Sequence, residues 1–194
     1  PGGARGDGML MMVVTALMNL HVELREYYTA CSLLYRLIGM RPRLPGLVWA
    51  LVRLHLVFGS LEAAEATLAH AERAFPAAAA AANMHRGLLA LAKGNNREAV
   101  SAFQSCVTLE PGNPAALTNL AVSLLYSRDL PRAIQVLESA VRSNPSRCLT
   151  HAVAFNLSTL YDLHGIDAPS RKRALLLLSR MYAPDDFDPT ACKV

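Results

Sequence analysis

The sequence predicts an all-α protein built as a solenoid, in which similar pairs of helices stack on one another. The first observation is a row of prolines that recur at intervals of 34, 35 and 34 residues: Pro42, Pro76, Pro111 and Pro145. The second is a small residue twelve positions before each proline: Ala30, Ala64, Ala99 and Ala133. The third is an apolar residue eight positions before each proline: Leu34, Leu68, Phe103 and Leu137. A unit of this length holds two helices that cannot bury their apolar faces alone, so neighbouring units must stack.

This pattern resembles that of the tetratricopeptide repeat (TPR) family. The copy that fits best has apolar residues at the i, i+3, i+4, i+7 spacing of one helix face: Leu117, Leu120, Ala121 and Leu124. A turn is predicted over 127–130, and Pro145 ends the second helix because proline has no amide hydrogen for the next turn. Ala133 and Ala140 are small, which indicates that the two helix backbones approach closely there.

Extending this register outward gives four TPR units, at 11–44, 45–78, 80–113 and 114–147, after a disordered start at 1–10. Glycines stand at two of the turns between paired helices: Gly59 and Gly94. The first unit is the most degenerate, because Arg25 stands where the turn glycine is expected. The alanine run at 77–82 contains the extra residue of the 35-residue interval. It is interpreted as the start of the third unit's first helix, because alanine is the best helix former.

Two further helical stretches follow the fourth unit, at 149–163 and 170–182, with a turn between them. Together, 148–182 resembles an incomplete fifth unit whose helices cap the apolar end of the solenoid. The last segment, 183–194, is rich in proline and aspartate and is expected to be a loose tail.

Composition limits the class of protein. The chain has 194 residues, 53% of them hydrophobic, which is enough for the core of one elongated domain. The sequence contains no run of 18 apolar residues, so no transmembrane segment is expected. The four cysteines are far apart, and Cys31 and Cys106 occupy helix-packing positions. These features predict reduced thiols and a cytoplasmic location. A net charge of +4 with 6% aromatic residues gives little support for nucleic-acid binding.

Catalytic, metal and cofactor motifs are missing from the sequence. It contains no HExxH, GxSxG or Walker-type glycine loop. His21 and His55 are 34 residues apart and therefore occupy the same repeat position, where packing is expected rather than metal ligation. The sequence thus predicts a protein that is not an enzyme and binds no cofactor.

Binding in such a solenoid normally uses the concave face, which the first helix of each pair lines. The predicted partner-binding residues there are Asn19, Trp49, Arg53, Met84, His85, Leu88, Asn119, Val122 and Tyr126. Trp49 stands out because tryptophan contributes disproportionately to binding energy at interfaces. The alternative is that Trp49 packs against the first unit. A second candidate surface is the basic cluster Arg171, Lys172 and Arg173, which meets either an acidic partner or solvent.

TPR co-chaperones suggest a specific alternative, since they hold acidic chaperone tails with a clamp of lysine, arginine and asparagine. Asn19 and Asn119 fit such a clamp. Ala50 and Ala81, however, stand where the clamp needs asparagine and lysine. The incomplete set makes a chaperone-tail adaptor the less favoured interpretation.

The C-terminal part of the chain carries a more specific resemblance. Residues 155–161 read Phe-Asn-Leu-Ser-Thr-Leu-Tyr, residues 171–176 read Arg-Lys-Arg-Ala-Leu-Leu, and residues 187–193 read Phe-Asp-Pro-Thr-Ala-Cys-Lys. In this order and at similar spacing they resemble the family of subunit 12 of the transport protein particle (TRAPP) complex. The run at 119–126 also resembles that family.

The resemblance implies a non-catalytic subunit of TRAPP III, a tether that promotes nucleotide exchange on a Rab GTPase between endoplasmic reticulum and Golgi and in autophagy. It implies other TRAPP subunits as partners and a cytoplasmic location peripheral to endoplasmic reticulum–Golgi membranes, through the complex only. The alternative function is a TPR adaptor that binds one short peptide in its groove.

Overall fold

The computed structural model describes residues 3–194, with side chains from residue 8 onward, and this part of the chain is helical throughout its regular structure. The helices, in chain order, are α1 Gly3–Glu23, α2 Tyr27–Met40, α3 Pro45–Val57, α4 Leu61–Ala74, α5 Ala79–Ala92, α6 Asn96–Leu109, α7 Pro114–Tyr126, α8 Leu130–Ser143, α9 Pro145–Cys148, α10 His151–His164 and α11 Ala168–Tyr182. A short 3₁₀ helix, Pro189–Cys192, follows them. The predicted all-α TPR solenoid class is confirmed.

The chain divides into two compact units, one up to Lys93 and one from Gly94 onward. In the first, α1 packs on α2, α3 packs on α4, and α5 contacts both α3 and α4. In the second, α7 packs between α6 and α8, and α10 contacts α8 and α11. Each unit therefore has helix pairs of the kind that the sequence period predicts.

The repeated small residues lie where two helices meet. Each of the four alanines twelve positions before a proline is 0% exposed: Ala30, Ala64, Ala99 and Ala133. The apolar residues four positions later are buried with them, and Phe103 and Leu137 are also 0% exposed. Full burial of Ala133 agrees with the close helix approach predicted there, whereas Ala140, the other alanine of that prediction, is only half-buried.

The turns inside the helix pairs share one backbone conformation. A left-handed residue stands at each of four equivalent positions: Arg25 (φ 59°), Gly59 (φ 73°), Gly94 (φ 77°) and Arg128 (φ 65°). At three of these turns, the next amide bonds back to a carbonyl five residues earlier, in Glu26 to His21, Ser60 to His55 and Asp129 to Leu124. This is the arrangement that ends a helix through a left-handed residue, and glycine adopts it without steric cost.

Two expectations about the chain ends need correction. Residues 1–2 of the predicted disordered start lie outside the described residues. The rest of that segment is helical, since α1 begins at Gly3. An apolar run rich in helix formers follows the first turns of α1 and continues the helix. The segment 183–194 is not a loose tail. Its 3₁₀ helix packs on α10 and α11, and Cys192 is 0% exposed, since small residues there fill the space between the two helices.

The cysteines and histidines mostly follow the sequence expectation. The cysteines Cys31, Cys106, Cys148 and Cys192 are all free and buried, and burial raises the pKa of each thiol. They act as small apolar side chains. His55 is buried and its Nδ1 lies 2.6 Å from the Tyr27 hydroxyl, which confirms packing at that position. His21 differs, because it pairs with the Glu26 carboxylate at 2.6 Å.

Candidate protein-interaction surfaces

Three of the predicted partner-binding residues lie together in the first compact unit, the one that ends at Lys93. The ring of Trp49 on α3 stacks on His85 of α5, with centroids 4.9 Å apart and planes at 23°. Nη1 of Arg53, one turn further along α3, lies 3.0 Å from Nε2 of His85. Nδ1 of His85 lies 2.7 Å from the carbonyl oxygen of Ala81. Since a carbonyl only accepts, Nδ1 carries the hydrogen, and Nε2 accepts a bond from Arg53.

The histidine in this cluster is neutral at pH 7. Burial lowers the pKa of His85, and the positive charge of Arg53 lowers this pKa further. Burial also lowers the pKa of Arg53, whose ordinary value is so high that the guanidinium stays charged. The cluster therefore holds one fixed positive charge, positioned by a neutral imidazole that the Trp49 ring supports.

The accessible part of this surface is smaller than the sequence suggested. Trp49 is only 5% exposed and His85 only 4%, because both rings are used in packing between helices. The ring of Trp49 stacks toward α5. The alternative drawn from the sequence was that this ring packs against the first TPR unit, 11–44. Arg53 is exposed, and Met84 and Leu88 are half-buried. A partner reaching this part of the surface meets Arg53 before it meets Trp49, and partner binding by these residues stays a prediction.

The remaining first-helix residues are more accessible. Asn19 is exposed on α1. On α7, Asn119 and Val122 are half-buried, while Tyr126 at the end of the helix is 65% exposed. The amide of Asn96 lies 3.4 Å from the Tyr126 carbonyl oxygen and helps to fix the turn. Tyr126 therefore presents a large aromatic surface to solvent, which suits an interface anchor.

The basic cluster at the start of α11 does not act as one anion site. Nη2 of Arg171 donates to Oε1 of Glu138 at 2.8 Å, and its guanidinium lies 4.4 Å above the Tyr161 ring centroid. Nζ of Lys172 lies 2.5 Å from a carboxylate oxygen of Asp162. Arg173 is exposed, and its Nη2 lies 3.5 Å from the Ser170 hydroxyl. Two of the three cations are thus paired within the protein, and Arg173 is the one most open to a partner.

Glu138 on α8 joins three elements of the second unit. Its Oε1 accepts bonds from the Tyr161 hydroxyl at 2.9 Å and from Arg171, and its Oε2 accepts one from Arg142 at 3.0 Å. The Glu138 side chain is 17% exposed. Burial, followed by the neighbouring carboxylate, raises the pKa of Tyr161 far above its ordinary value, so the phenol stays protonated and donates. This network fixes α10 and α11 against α8.

A cleft of about 270 Å³ opens beside this network, between α8, α10 and α11. The apolar residues Val141, Leu157, Leu175 and Leu178 line it. Glu138, Arg142 and Arg171 supply its polar lining. Its volume is below the ~300–1,000 Å³ of typical small-molecule sites, so it suits a side chain better than a cofactor.

The C-terminal segment is held to α10 and α11 by a second set of contacts. Nζ of Lys193 donates to the Thr159 hydroxyl at 2.8 Å and lies 3.8 Å from the Phe155 ring centroid. Nζ of Lys172 donates to the Lys193 carbonyl oxygen at 3.3 Å. Sequence reasoning did not assign a role to Glu138, Phe155 or Lys193. The sequence feature that points to these contacts is the pair of aromatic residues in 155–161. In the structure a cation lies over each ring, Lys193 over Phe155 and Arg171 over Tyr161.

Within the described residues, no group of three or more histidine, cysteine, aspartate or glutamate side chains is placed to hold a metal ion. Over the same part of the chain, no helix has the length and apolar character needed to cross a membrane.

Comparison with known families identifies the repeats. The family model described as tetratricopeptide repeat matches residues 49–114 and 84–147, which together cover half of the chain. The chain belongs to the tetratricopeptide repeat family. TPR membership accounts for the equivalent buried alanines and for the left-handed turn positions, since both recur with the repeat.

The predicted resemblance to subunit 12 is also confirmed. This TPR chain is 32% identical to mouse trafficking protein particle complex subunit 12 over 111 residues, which cover 57% of the chain and 14% of the relative. It is 27% identical to the human protein of the same name over 188 residues, covering 94% of the chain and 26% of the relative. The TPR chain thus corresponds to about a quarter of the length of the human relative.

Solved structures agree on the fold. A TPR protein of Thermus thermophilus superposes with a TM-score of 0.66 at 18% identity, covering 95% of this chain and 100% of that one. At this identity the likeness concerns the fold alone. The TPR fold and the relatives together support a protein-interaction scaffold.

Proposed function

We propose that this chain is an architectural part of a vesicle-tethering complex of the TRAPP III kind. The observation that carries the proposal is the similarity to human trafficking protein particle complex subunit 12, which extends over 94% of the chain and so covers the repeats and the segment that follows them. A similarity confined to the repeats would favour any TPR protein. Its extension through α10 and α11 favours a function particular to this subunit.

The mechanism is assembly through surface complementarity. Packed helix pairs display many side chains whose positions are already fixed, so binding orders few of them and its entropic cost is small. Large apolar side chains remain exposed at both chain ends, including Met12 (74%) and Tyr28 (86%) near the start and Met181 (70%) near the end. In the proposed assembly, docked subunits cover these side chains and remove their apolar surface from water.

The biological role follows from the resemblance. As part of the tether, the chain contributes to traffic between endoplasmic reticulum and Golgi and to autophagy. It supplies no catalytic group, because nucleotide exchange on the Rab GTPase belongs to other subunits. It functions in the cytoplasm and reaches endoplasmic reticulum–Golgi membranes through the complex.

A second candidate, a peptide-binding adaptor, is favoured by one electrostatic observation. Helices α3, α5 and α7 contain no aspartate or glutamate, whereas α4, α6 and α8 do. The exposed charge of Arg53 lies on α3. A guanidinium group on a helix without carboxylates attracts an acidic peptide.

The two functions differ in the interface that they need. An obligate assembly contact buries ~2,000 Å² or more, whereas a peptide groove buries less. The test is affinity purification of the 194-residue chain from a lysate of its source organism, followed by mass spectrometry. We expect related tether subunits to co-purify at fixed stoichiometry and to resist high-salt washing. Chaperones or unrelated proteins sharing a short acidic motif, displaced by salt or by that motif as a peptide, would overturn the assembly role in favour of the adaptor.

A further inference from the structure

The outer face of α11 combines exposed apolar and exposed basic side chains. Leu177 is 59% exposed and Met181 is 70% exposed. Arg173 stands four residues before Leu177, and Arg180 stands one residue before Met181. Both arginines are exposed. The four residues follow the i, i+4, i+7, i+8 spacing that keeps side chains on one face of a helix. The second unit thus ends in an apolar strip bordered by guanidinium groups.

The cleft beside α11 extends this face. Ala174, Leu175 and Leu178 of α11 form one wall of the 270 Å³ cleft, and Val141 and Leu157 belong to the opposite helices. An apolar side chain that enters it contacts residues already held in the core, so little ordering opposes its binding.

The charged side chains of α11 and of the cleft sum to a net positive charge. Helix α11 contains no acidic residue. At the cleft, Glu138 accepts bonds from both Arg142 and Arg171, so one carboxylate meets two guanidinium groups and a net positive charge remains. The Arg142 side chain is 74% exposed, and Arg180 is also exposed. The surface therefore attracts negative charge and repels a second copy of itself.

We propose that the outer face of α11, with the cleft beside it, docks an amphipathic helix of a partner protein that carries apolar side chains on one face and carboxylates along its border. Its apolar residues contact Leu177 and Met181, and one of them enters the cleft. Its carboxylates pair with Arg173 and Arg180. The inference rests on the proposed scaffold function and names the part of the chain that makes one contact.

The test uses the 194-residue chain and a displayed library of random peptides of about 16 residues, long enough for about four helical turns. We expect the selected peptides to be apolar and acidic at helical spacing. Their affinity should fall about tenfold or more on Leu177→Asp, since a central apolar contact is removed and a repelling charge is added. The double variant R173E/R180E should select basic peptides instead.

Matched controls separate this site from general effects of charge and hydrophobicity. R97E/R132E changes the net charge equally, at exposed arginines of α6 and α8, and Leu109→Asp removes an exposed apolar residue of α6. Both controls should leave peptide affinity unchanged. A library that yields no peptide sensitive to Leu177→Asp, or one without acidic enrichment, would overturn the proposal.

Two further experiments detect other possible binding partners of the α11 face, a membrane and a second copy of the chain. Binding of vesicles containing an anionic phospholipid, lost in R173E/R180E, together with no helical peptide, would assign the face to a membrane and overturn the proposal. A dimer in sedimentation that Leu177→Asp dissociates would assign it to a second copy. If tether subunits co-purify equally with wild type and Leu177→Asp, the scaffold function stands and this inference fails.

Discussion

Replacing Arg128 by glycine should stabilise the protein, although it removes a charged side chain and adds no contact. Arg128 occupies the left-handed turn position of the fourth repeat at φ 65°, where two other repeats have glycine. A residue with a Cβ atom is less stable there by about 1–2 kcal/mol, while the greater backbone entropy of glycine in the unfolded chain offsets about 0.5–1 kcal/mol. The expected net gain is about 0.5–1 kcal/mol in the free energy of unfolding.

The assay is urea unfolding followed by circular dichroism, in which the midpoint should rise at an unchanged slope. Arg128→Ala is the matched control, because it removes the charge but keeps the Cβ atom, and it should give no gain. The reverse change, Gly94→Ala, should cost about 1 kcal/mol. A Cβ atom at Gly94 meets nothing within 4 Å, so the cost is conformational only. A neutral Gly94→Ala, or a destabilising Arg128→Gly, would refute the reasoning.

The other predictions concern packing, the Glu138 network and pH. Ala133→Leu should overpack the α7–α8 pair and lower the free energy of unfolding by ~1–3 kcal/mol, and an unchanged urea midpoint would show that the register is wrong. Glu138→Gln should cost ~1.5–3 kcal/mol in the same assay, because it weakens bonds to charged groups, whereas Glu62→Gln at an exposed site should change little. The lowered pKa of His85 predicts stability that is fully present above about pH 6.5 and is lost as pH falls through the folded-state value, since the unfolded chain binds the proton first. His85→Gln should flatten the slope of unfolding free energy against pH between pH 7 and about 5.5. The control His70→Gln, at an exposed site, should not flatten it. An unchanged slope in His85→Gln would contradict the assignment of this pH dependence to His85.

The helix pairs could be predicted from sequence because their determinants are local and repeated. Ala99 and Ala133 are small at the same place in each unit, and the same helix contact requires it each time. Arg25 could be recognised as a turn residue because glycine stands at the equivalent positions. The short helix α9 was not predicted. It depends on the Asn144 side chain, which accepts a bond from the Arg147 amide at 3.2 Å.

The interaction surfaces were less predictable, because a repeat register gives the face of a helix but not the neighbour that covers it. Trp49 and His85 are 36 positions apart in sequence, and only the packing of α3 on α5 stacks their rings. Glu138 and Arg171 are 33 positions apart, on helices outside a common repeat. The basic run at 171–173 looked like one cluster, but successive residues of a helix point in different directions.

Native mass spectrometry of the complex purified on this chain tests the scaffold function most directly, because it measures mass and stoichiometry without assuming a partner. We predict one dominant assembly that contains the chain in a fixed ratio to several larger proteins related to tether subunits. That mass should persist when an excess of acidic peptide is added. A set of small complexes with varying, substoichiometric partners, dissociated by the peptide, would contradict the architectural role.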